Sequence, residues 1–284
     1  MPQPRRGEVR YHLAGAFYRM AYYEAGNPAS PPVLCVHGLT RNGRDFDALA
    51  WGLADRFRVI CPDLPGRGGS DWLPDASLYD LPSYIQALSH LLAMIGRKVM
   101  YVGTSLGGIC GMAIAAMVGH PIERLVLNDV GPLVPGAAIR RIRDYITQTR
   151  PEFADVLALE AHLRRVYAPF GKLTDRQWEH MAKTSARPLP DGRVALHYDP
   201  GISRQMRSTL AIDVDLWPTW NRINVPVMVI RGESSDLLLP DTFARMQRAG
   251  AQTLVVRDAG HAPALLDVPT IQAIRGFLTA RPAD

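Results

Sequence analysis

Val99-Met100-Tyr101-Val102-Gly103-Thr104-Ser105-Leu106-Gly107-Gly108 is the stretch on which the reading of this 284-residue chain turns. A short apolar run leads into a serine flanked by glycines at Gly103 and Gly107. A small-residue segment follows, from Gly108 through Ile109, Cys110 and Gly111 to Met117. Strand, Gly-flanked serine and helix together make the G-x-S-x-G nucleophile elbow, in which the serine sits on a sharp, strained turn. Glycines suit both flanks, because strand and helix meet too closely there for a side chain and the turn asks for unusual φ/ψ. The five-residue pattern alone is common; its position between a buried strand and a helix is what makes it informative.

Working outward, Pro32-Val33-Leu34-Cys35-Val36 reads as another buried strand running into His37-Gly38-Leu39-Thr40. Downstream, Val225 to Gly232 reads as a strand ending in Glu233-Ser234-Ser235-Asp236, and Gln252 to Val256 leads through Asp258-Ala259-Gly260 to His261. Ser105, Asp236 and His261 each follow the C-terminal end of a strand, the edge at which open α/β sheets collect ligands and reacting groups.

On these motifs the chain resembles the α/β-hydrolase superfamily, of the kind that carries a lid after the sixth strand. The resemblance rests on His37-Gly38, on Asp63-Leu64-Pro65-Gly66-Arg67-Gly68-Gly69-Ser70-Asp71, on the elbow, on Gly232 to Asp236 with Pro240, and on Gly260-His261-Ala262-Pro263. It implies an α/β fold with a mostly parallel, doubly wound sheet of about eight strands. Residues 1–130 and 213–284 would form the core, and 131–212 a helical lid.

The same resemblance implies a triad. Ser105 would be the nucleophile, His261 the base and Asp236 the acid, with Asp129 as the alternative acid because some members take theirs after the sixth strand. Backbone N–H groups of Leu39 and Leu106 would form the oxyanion hole. His37, Gly38, Arg41 and Trp217 are candidates to touch substrate, although Arg41 and its neighbour Asn42 read more simply as solvated loop residues. A serine at the elbow argues against relatives that use aspartate there, the haloalkane dehalogenases and epoxide hydrolases.

What this implies is hydrolysis of a small carboxylic ester or lactone through an acyl-enzyme. Two alternatives stand beside it. The first is a carbon–carbon bond hydrolase of ring-cleavage diketones, disfavoured because Thr104 precedes the serine and Ala262 follows the histidine. The second is a ligand-sensing protein on the same scaffold, since fold does not fix function.

Composition narrows the field further. At 47% hydrophobic residues the chain can bury a sizeable core, and no run reaches the roughly 18 apolar residues of a membrane span. The start, Met1-Pro2-Gln3-Pro4-Arg5-Arg6-Gly7, lacks the apolar segment of a signal peptide, so a cytoplasmic protein is expected. Cys35, Cys61 and Cys110 read as small buried hydrophobes. The net charge of +5 is concentrated: residues 131–212 hold 13 Lys and Arg against 8 Asp and Glu, and the remainder is balanced. Such a segment steers anions or is simply a solvated basic face.

No nucleic-acid module is recognisable, the eight histidines show no metal-ligand spacing, and neither cofactor nor metal is expected. The loop Gly66-Arg67-Gly68-Gly69 lacks the Lys-Ser/Thr and helix of a phosphate cradle. Asp63 and Asp71 read as structural carboxylates that bind backbone N–H groups.

The element pattern supports an alternating fold. Val9–Leu13 and Phe17–Tyr23 read as an antiparallel start. Strands at Val33–Val36, Val59–Cys61, Val99–Val102 and Leu125–Leu127 then alternate with helices at Asp45–Ala54, Leu81–Ile95 and Leu106–Met117. Beyond Asn128-Asp129-Val130-Gly131-Pro132 the periodicity predicts helices over 136–149, 152–168 and 174–186, the last capped at Thr174 and Asp175. A turn-rich break follows at Arg187 to Gly192, and a return helix is expected from Asp215 to Ile223.

Overall fold

A computed structural model describes residues 3–148 and 151–280, so Met1, Pro2 and the last residue of the helix expected over 136–149 lie outside the described residues. The central sheet has eight strands. Six of them are β1 (Arg5–Leu13), β2 (Ala16–Ala25), β3 (Pro32–Val36), β4 (Arg58–Pro62), β5 (Val99–Thr104) and β6 (Ile122–Asn128). The strands Val227–Gly232 and Gln252–Val256 complete it. The spatial order is β1-β2-β4-β3-β5-β6, then Val227–Gly232, then Gln252–Val256. β1 pairs antiparallel with β2, and β2 antiparallel with β4, while every other pairing is parallel.

Runs such as Val33–Val36, Val59–Cys61 and Val99–Val102 are apolar at successive positions because both faces of the sheet are covered there. Side chains alternate across a strand, so Leu34, Val36, Ile60, Tyr101, Leu125 and Leu127 join one buried cluster. Their neighbours Val33, Cys35, Val59, Cys61, Val102 and Val126 join the other, with Met228 and Ile230. All three cysteines are buried free thiols.

β3 lies between β4 and β5, so the chain leaves β3 toward one side and later returns on the other. That reversal opens a crevice at the C-terminal ends of β3 and β5, the place where doubly wound sheets bind ligands. The loop after β3 and the serine after β5 both fall there.

Between β6 and Val227 the helices are α4 (Gly136–Ile146), α5 (Val156–Val166) and α6 (Asp175–Ser185), followed by Pro200–Ser208. To keep the numbering by chain order, α1 is Asp47–Leu53, α2 Leu81–Ile95 and α3 Leu106–Ala115. Thr174 caps α6 through a reciprocal box with Gln177, which satisfies two first-turn amides.

The expected helix over 152–168 is shorter than its periodicity suggested. Glu152–Phe153 is instead a strand that pairs with Val194 and Ala195, and Ala186–Pro188 pairs on the other side. The turn-rich break at Arg187 to Gly192 is thus the turn of a hairpin. A period-3.6 pattern cannot register such short strands, because two or three residues carry no detectable alternation. The expected return helix reduces to Trp217–Trp220. The two ends of the segment are pinned together by the pairs Val134–Val214 and Leu133–Asp215. Among the described residues, no helix is long and apolar enough to cross a membrane.

Candidate active site

Ser105 stands between β5 and α3 with φ 51° and ψ −114°, a conformation that a residue with a Cβ rarely adopts. Packing holds it there. A Cβ on Gly107 would lie 2.1 Å from the carbonyl oxygen of Val36, and one on Gly103 would lie 2.5 Å from that of Gly107. Strands β3 and β5 therefore both meet helix α3 backbone to backbone, and the turn from β5 into α3 has no room to relax. Strain of this kind persists only where surrounding structure over-determines it.

His261 follows the Gln252–Val256 strand, and its Nε2 lies 3.0 Å from Ser105 Oγ. Its Nδ1 lies 2.7 Å from Asp129 Oδ2. With Nδ1–H donated to the carboxylate, Nε2 presents a lone pair to the serine hydroxyl. Asp129 is fully buried and has φ 56°, just past the end of β6. Its Oδ1 accepts the Gly232 amide at 2.8 Å, and its Oδ2 also accepts the Ser235 hydroxyl at 2.6 Å. Three donors thus converge on one buried carboxylate, so its lone pairs are satisfied although no water reaches it.

Asp236, the carboxylate expected to face His261, does not do so. It is about half exposed and forms a bidentate ion pair with Arg141 of α4, the Arg141 Nη2–Asp236 Oδ1 distance being 2.8 Å. The reason lies in one turn. Ser235 N–H closes back on the Gly232 carbonyl at 2.9 Å, which sends the Ser235 side chain inward to Asp129 and Asp236 outward. Ser235 was not singled out from sequence, and serine in a strand-end loop carries no signal of this role.

A cavity of about 260 Å³ opens beside Ser105 and His261. Gly38, Leu39 and Thr40 line it together with Arg141, Tyr145 and Phe170. Thr40 Oγ1 is hydrogen-bonded to the hydroxyls of Tyr145 at 2.9 Å and Tyr167 at 3.0 Å. The 131–212 segment is thereby fastened to the loop after β3. Of the aromatic residues in and beside that segment, Tyr145, Tyr167 and Phe170 reach the cavity. Phe153, Trp178 and Trp220 are buried in the apolar core instead.

The substrate-contact candidates divide. Gly38 and Arg41 line the cavity. Arg41 is buried rather than solvated: its guanidinium binds Asp45 through Nε and Nη2 and donates from Nη1 to Ser185 Oγ at 3.0 Å. Asn42 is buried too, donating to the Thr184 carbonyl at 2.8 Å. A polar loop residue looks solvated in sequence, but here the 131–212 segment covers it.

His37 and Trp217 lie off this cavity. His37 is buried, with Nδ1–H donated to the Gly38 carbonyl at 2.7 Å and Nε2 accepting from the Leu64 amide at 2.9 Å. Burial pushes its pKa down to about 3, so it is a neutral brace for the loop. Trp217 packs edge-on against Trp220, with the Arg245 guanidinium over its ring.

Leu39 also lines the cavity, and its amide has no acceptor among the described residues. Leu106 opens α3, where first-turn amides lack a helical partner. Asp63 accepts from the amides of Gly43 and Gly69, each at 2.8 Å, and Asp71 from the amide of Arg19 at 2.8 Å, so both carboxylates hold backbone. No cluster of side chains suited to a metal ion occurs among the described residues.

Comparison with known proteins shows what the chain as a whole is similar to. A 3-hydroxybutyrate-oligomer hydrolase of Cupriavidus necator is 40% identical over 97% of this chain and 98% of its own length. A 2-(acetamidomethylene)succinate hydrolase of Mesorhizobium japonicum is 27% identical over 89% of each chain. Among solved structures, an alpha/beta hydrolase from Novosphingobium aromaticivorans superposes with a TM-score of 0.87 at 35% identity, covering 98% of this chain and 99% of that one. The model of the alpha/beta hydrolase family matches residues 33–271, and the chain belongs to that family: it is a hydrolase.

Proposed function

We propose that the protein is a serine hydrolase of small carboxylic esters that works through an acyl-enzyme. The observation that carries this reading is the hydrogen-bonded series Ser105 Oγ, His261 Nε2, His261 Nδ1, Asp129 Oδ2, at 3.0 and 2.7 Å. A serine hydroxyl is a weak nucleophile until a base removes its proton during attack. In this reading His261 takes the Ser105 proton as Oγ bonds to the ester carbonyl carbon. Asp129 holds the imidazole in the required tautomer and stabilises the imidazolium.

The carbonyl oxygen becomes an oxyanion beside the Leu39 and Leu106 amides, which are free to donate to it. Collapse breaks the carbon–oxygen bond to the alcohol, and His261 returns the proton to that leaving oxygen. Water then attacks the acyl-enzyme by the same steps, releasing the acid and restoring Ser105.

Residues 131–212 act in this reading as a lid that shapes the cavity. The relative that hydrolyses 3-hydroxybutyrate oligomers recommends short hydroxy-acid esters as the first substrates to try. A lactone presents the same acyl carbon–oxygen bond and belongs to the same reading.

A fluorophosphonate probe and a series of p-nitrophenyl esters test it. Labelling at Ser105, turnover of the short esters, and loss of both in Ser105→Ala are expected. Labelling of the Ala variant at the wild-type rate would falsify the assignment.

A further inference from the structure

The cavity wall carries two guanidinium groups, Arg41 and Arg141, and no carboxylate among its described lining residues. The two cations differ in what remains to them. Arg41 is buried and engaged on both forks by Asp45 and Ser185. Arg141 uses Nε and one Nη2–H on Asp236, and a guanidinium has five N–H donors. Three of its donors, both on Nη1 and one on Nη2, have no acceptor among the described residues.

Asp236 reaches Arg141 from the loop after the Val227–Gly232 strand, so it grips one edge of the fork and leaves the other open. That restricts the rotamer freedom of a long side chain before any ligand arrives, which lowers the entropy lost on binding. The Arg141 side chain is 45% exposed, and a guanidinium held in this way beside a cavity lined by apolar groups, hydroxyls, Arg41 and His261 suits a planar oxyanion. The segment that supplies Arg141 is also basic overall, with 13 basic against 8 acidic side chains over residues 131–212, a net charge that favours the approach of anions.

We propose that Arg141 binds a free carboxylate of the substrate, remote from the ester at Ser105, so that the favoured substrates are esters of hydroxy acids ending in an anion. This rests on the reading of Ser105 as the nucleophile of an ester hydrolase. Arg141 is a binding residue in it, and Asp236 is the residue that positions Arg141. The carboxylate at the position where the acid was expected from sequence thereby acquires a different use.

The test compares the linear dimer of 3-hydroxybutyrate with its carboxyl-terminal primary amide, two substrates with the same scissile ester, and uses p-nitrophenyl acetate as an uncharged reporter of hydrolysis. The wild type is expected to favour the acid by about tenfold or more in kcat/KM, mainly through KM, a difference typical of one charge-assisted contact. The preference should shrink as salt is added. In Arg141→Gln the acid-to-amide ratio should fall toward one, and Arg141→Lys should restore part of it. Equal use of acid and amide by the wild type, or a ratio that Arg141→Gln leaves untouched, overturns the carboxylate site while p-nitrophenyl acetate turnover keeps the hydrolase reading. Absence of turnover on all three esters overturns both.

Discussion

Ser235 donates its hydroxyl to Asp129 Oδ2 at 2.6 Å, the same oxygen that His261 Nδ1 faces. A single buried carboxylate oxygen therefore gathers a donor from the Val227–Gly232 strand end and another from the histidine loop. Ser235 Oγ in turn accepts the amides of Leu237 and Leu238 at 3.3 and 3.2 Å. The serine hydroxyl ties the loop that carries Asp236 to the carboxylate that pairs with His261.

The first expectation separates the two carboxylates. Asp129→Asn keeps the shape but removes the charge that stabilises the imidazolium, so turnover of a p-nitrophenyl ester should fall by about 10⁴-fold. Asp236→Asn leaves the His261 contacts in place and should reduce it far less. Steady-state rates on both variants, with folding checked by circular dichroism, decide the matter. A larger loss in Asp236→Asn contradicts the assignment.

Ser235→Ala removes a donor from a buried carboxylate. Hydrogen bonds to charged groups contribute about 1.5–3 kcal/mol, so a drop in unfolding free energy of that order is expected. Turnover should also decline, by less than in Asp129→Asn, because the Gly232 amide and His261 still hold the carboxylate. Urea melts beside rate measurements check both. A variant as stable as wild type would show that the hydroxyl has found another role.

Tyr145→Phe and Tyr167→Phe each remove one hydroxyl from Thr40, the residue next to Leu39. Each lost neutral hydrogen bond should cost about 1 kcal/mol of stability. Loosening the loop that carries the Leu39 amide should lower kcat more than it raises KM, because an oxyanion donor acts chiefly in the transition state. Kinetics on p-nitrophenyl acetate test this split, and a pure KM effect would argue for a simple wall role.

His37 gives a pH dependence with a defined sign. Its pKa is lowered from 6.5 to about 3 in the folded protein by burial. The stability it contributes is complete above 6.5 and is lost as pH falls toward 3, because the unfolded chain takes up the proton first. The slope should approach about 1.4 kcal/mol per pH unit within that window. Asp63 works in the opposite sense: burial raises its carboxyl from 3.8 to about 6, so acidification between those values favours the folded state. Denaturant midpoints from pH 7 to 4.5, compared between wild type and His37→Asn, isolate the imidazole. Parallel pH curves for the two proteins would contradict the assignment.

Local sequence determined the sheet and the edges of its strands. Runs such as Val33–Val36 and Val99–Val102 are apolar at every position because both faces are covered, and that pattern needs no knowledge of the rest of the chain. The Gly-flanked serine was legible for the same reason, since backbone contact among Val36, Gly103 and Gly107 excludes side chains at the two flanking positions. The short strands at Glu152–Phe153 and Ala186–Pro188 left no such mark, being too brief for any period to show.

Which carboxylate meets His261 was decided by tertiary structure alone. Asp129 and Asp236 both follow strands that neighbour one another in the sheet, and composition treats them alike. The choice rests on a left-handed residue at Asp129 and on a turn that points Ser235 inward and Asp236 outward. The burial of Arg41 and Asn42 and the approach of Arg141 to the cavity likewise depend on where the 131–212 segment lands. A linear sequence encodes the periodicity of an element, whereas the direction of one side chain in a strand-end turn depends on contacts made by residues about a hundred positions away.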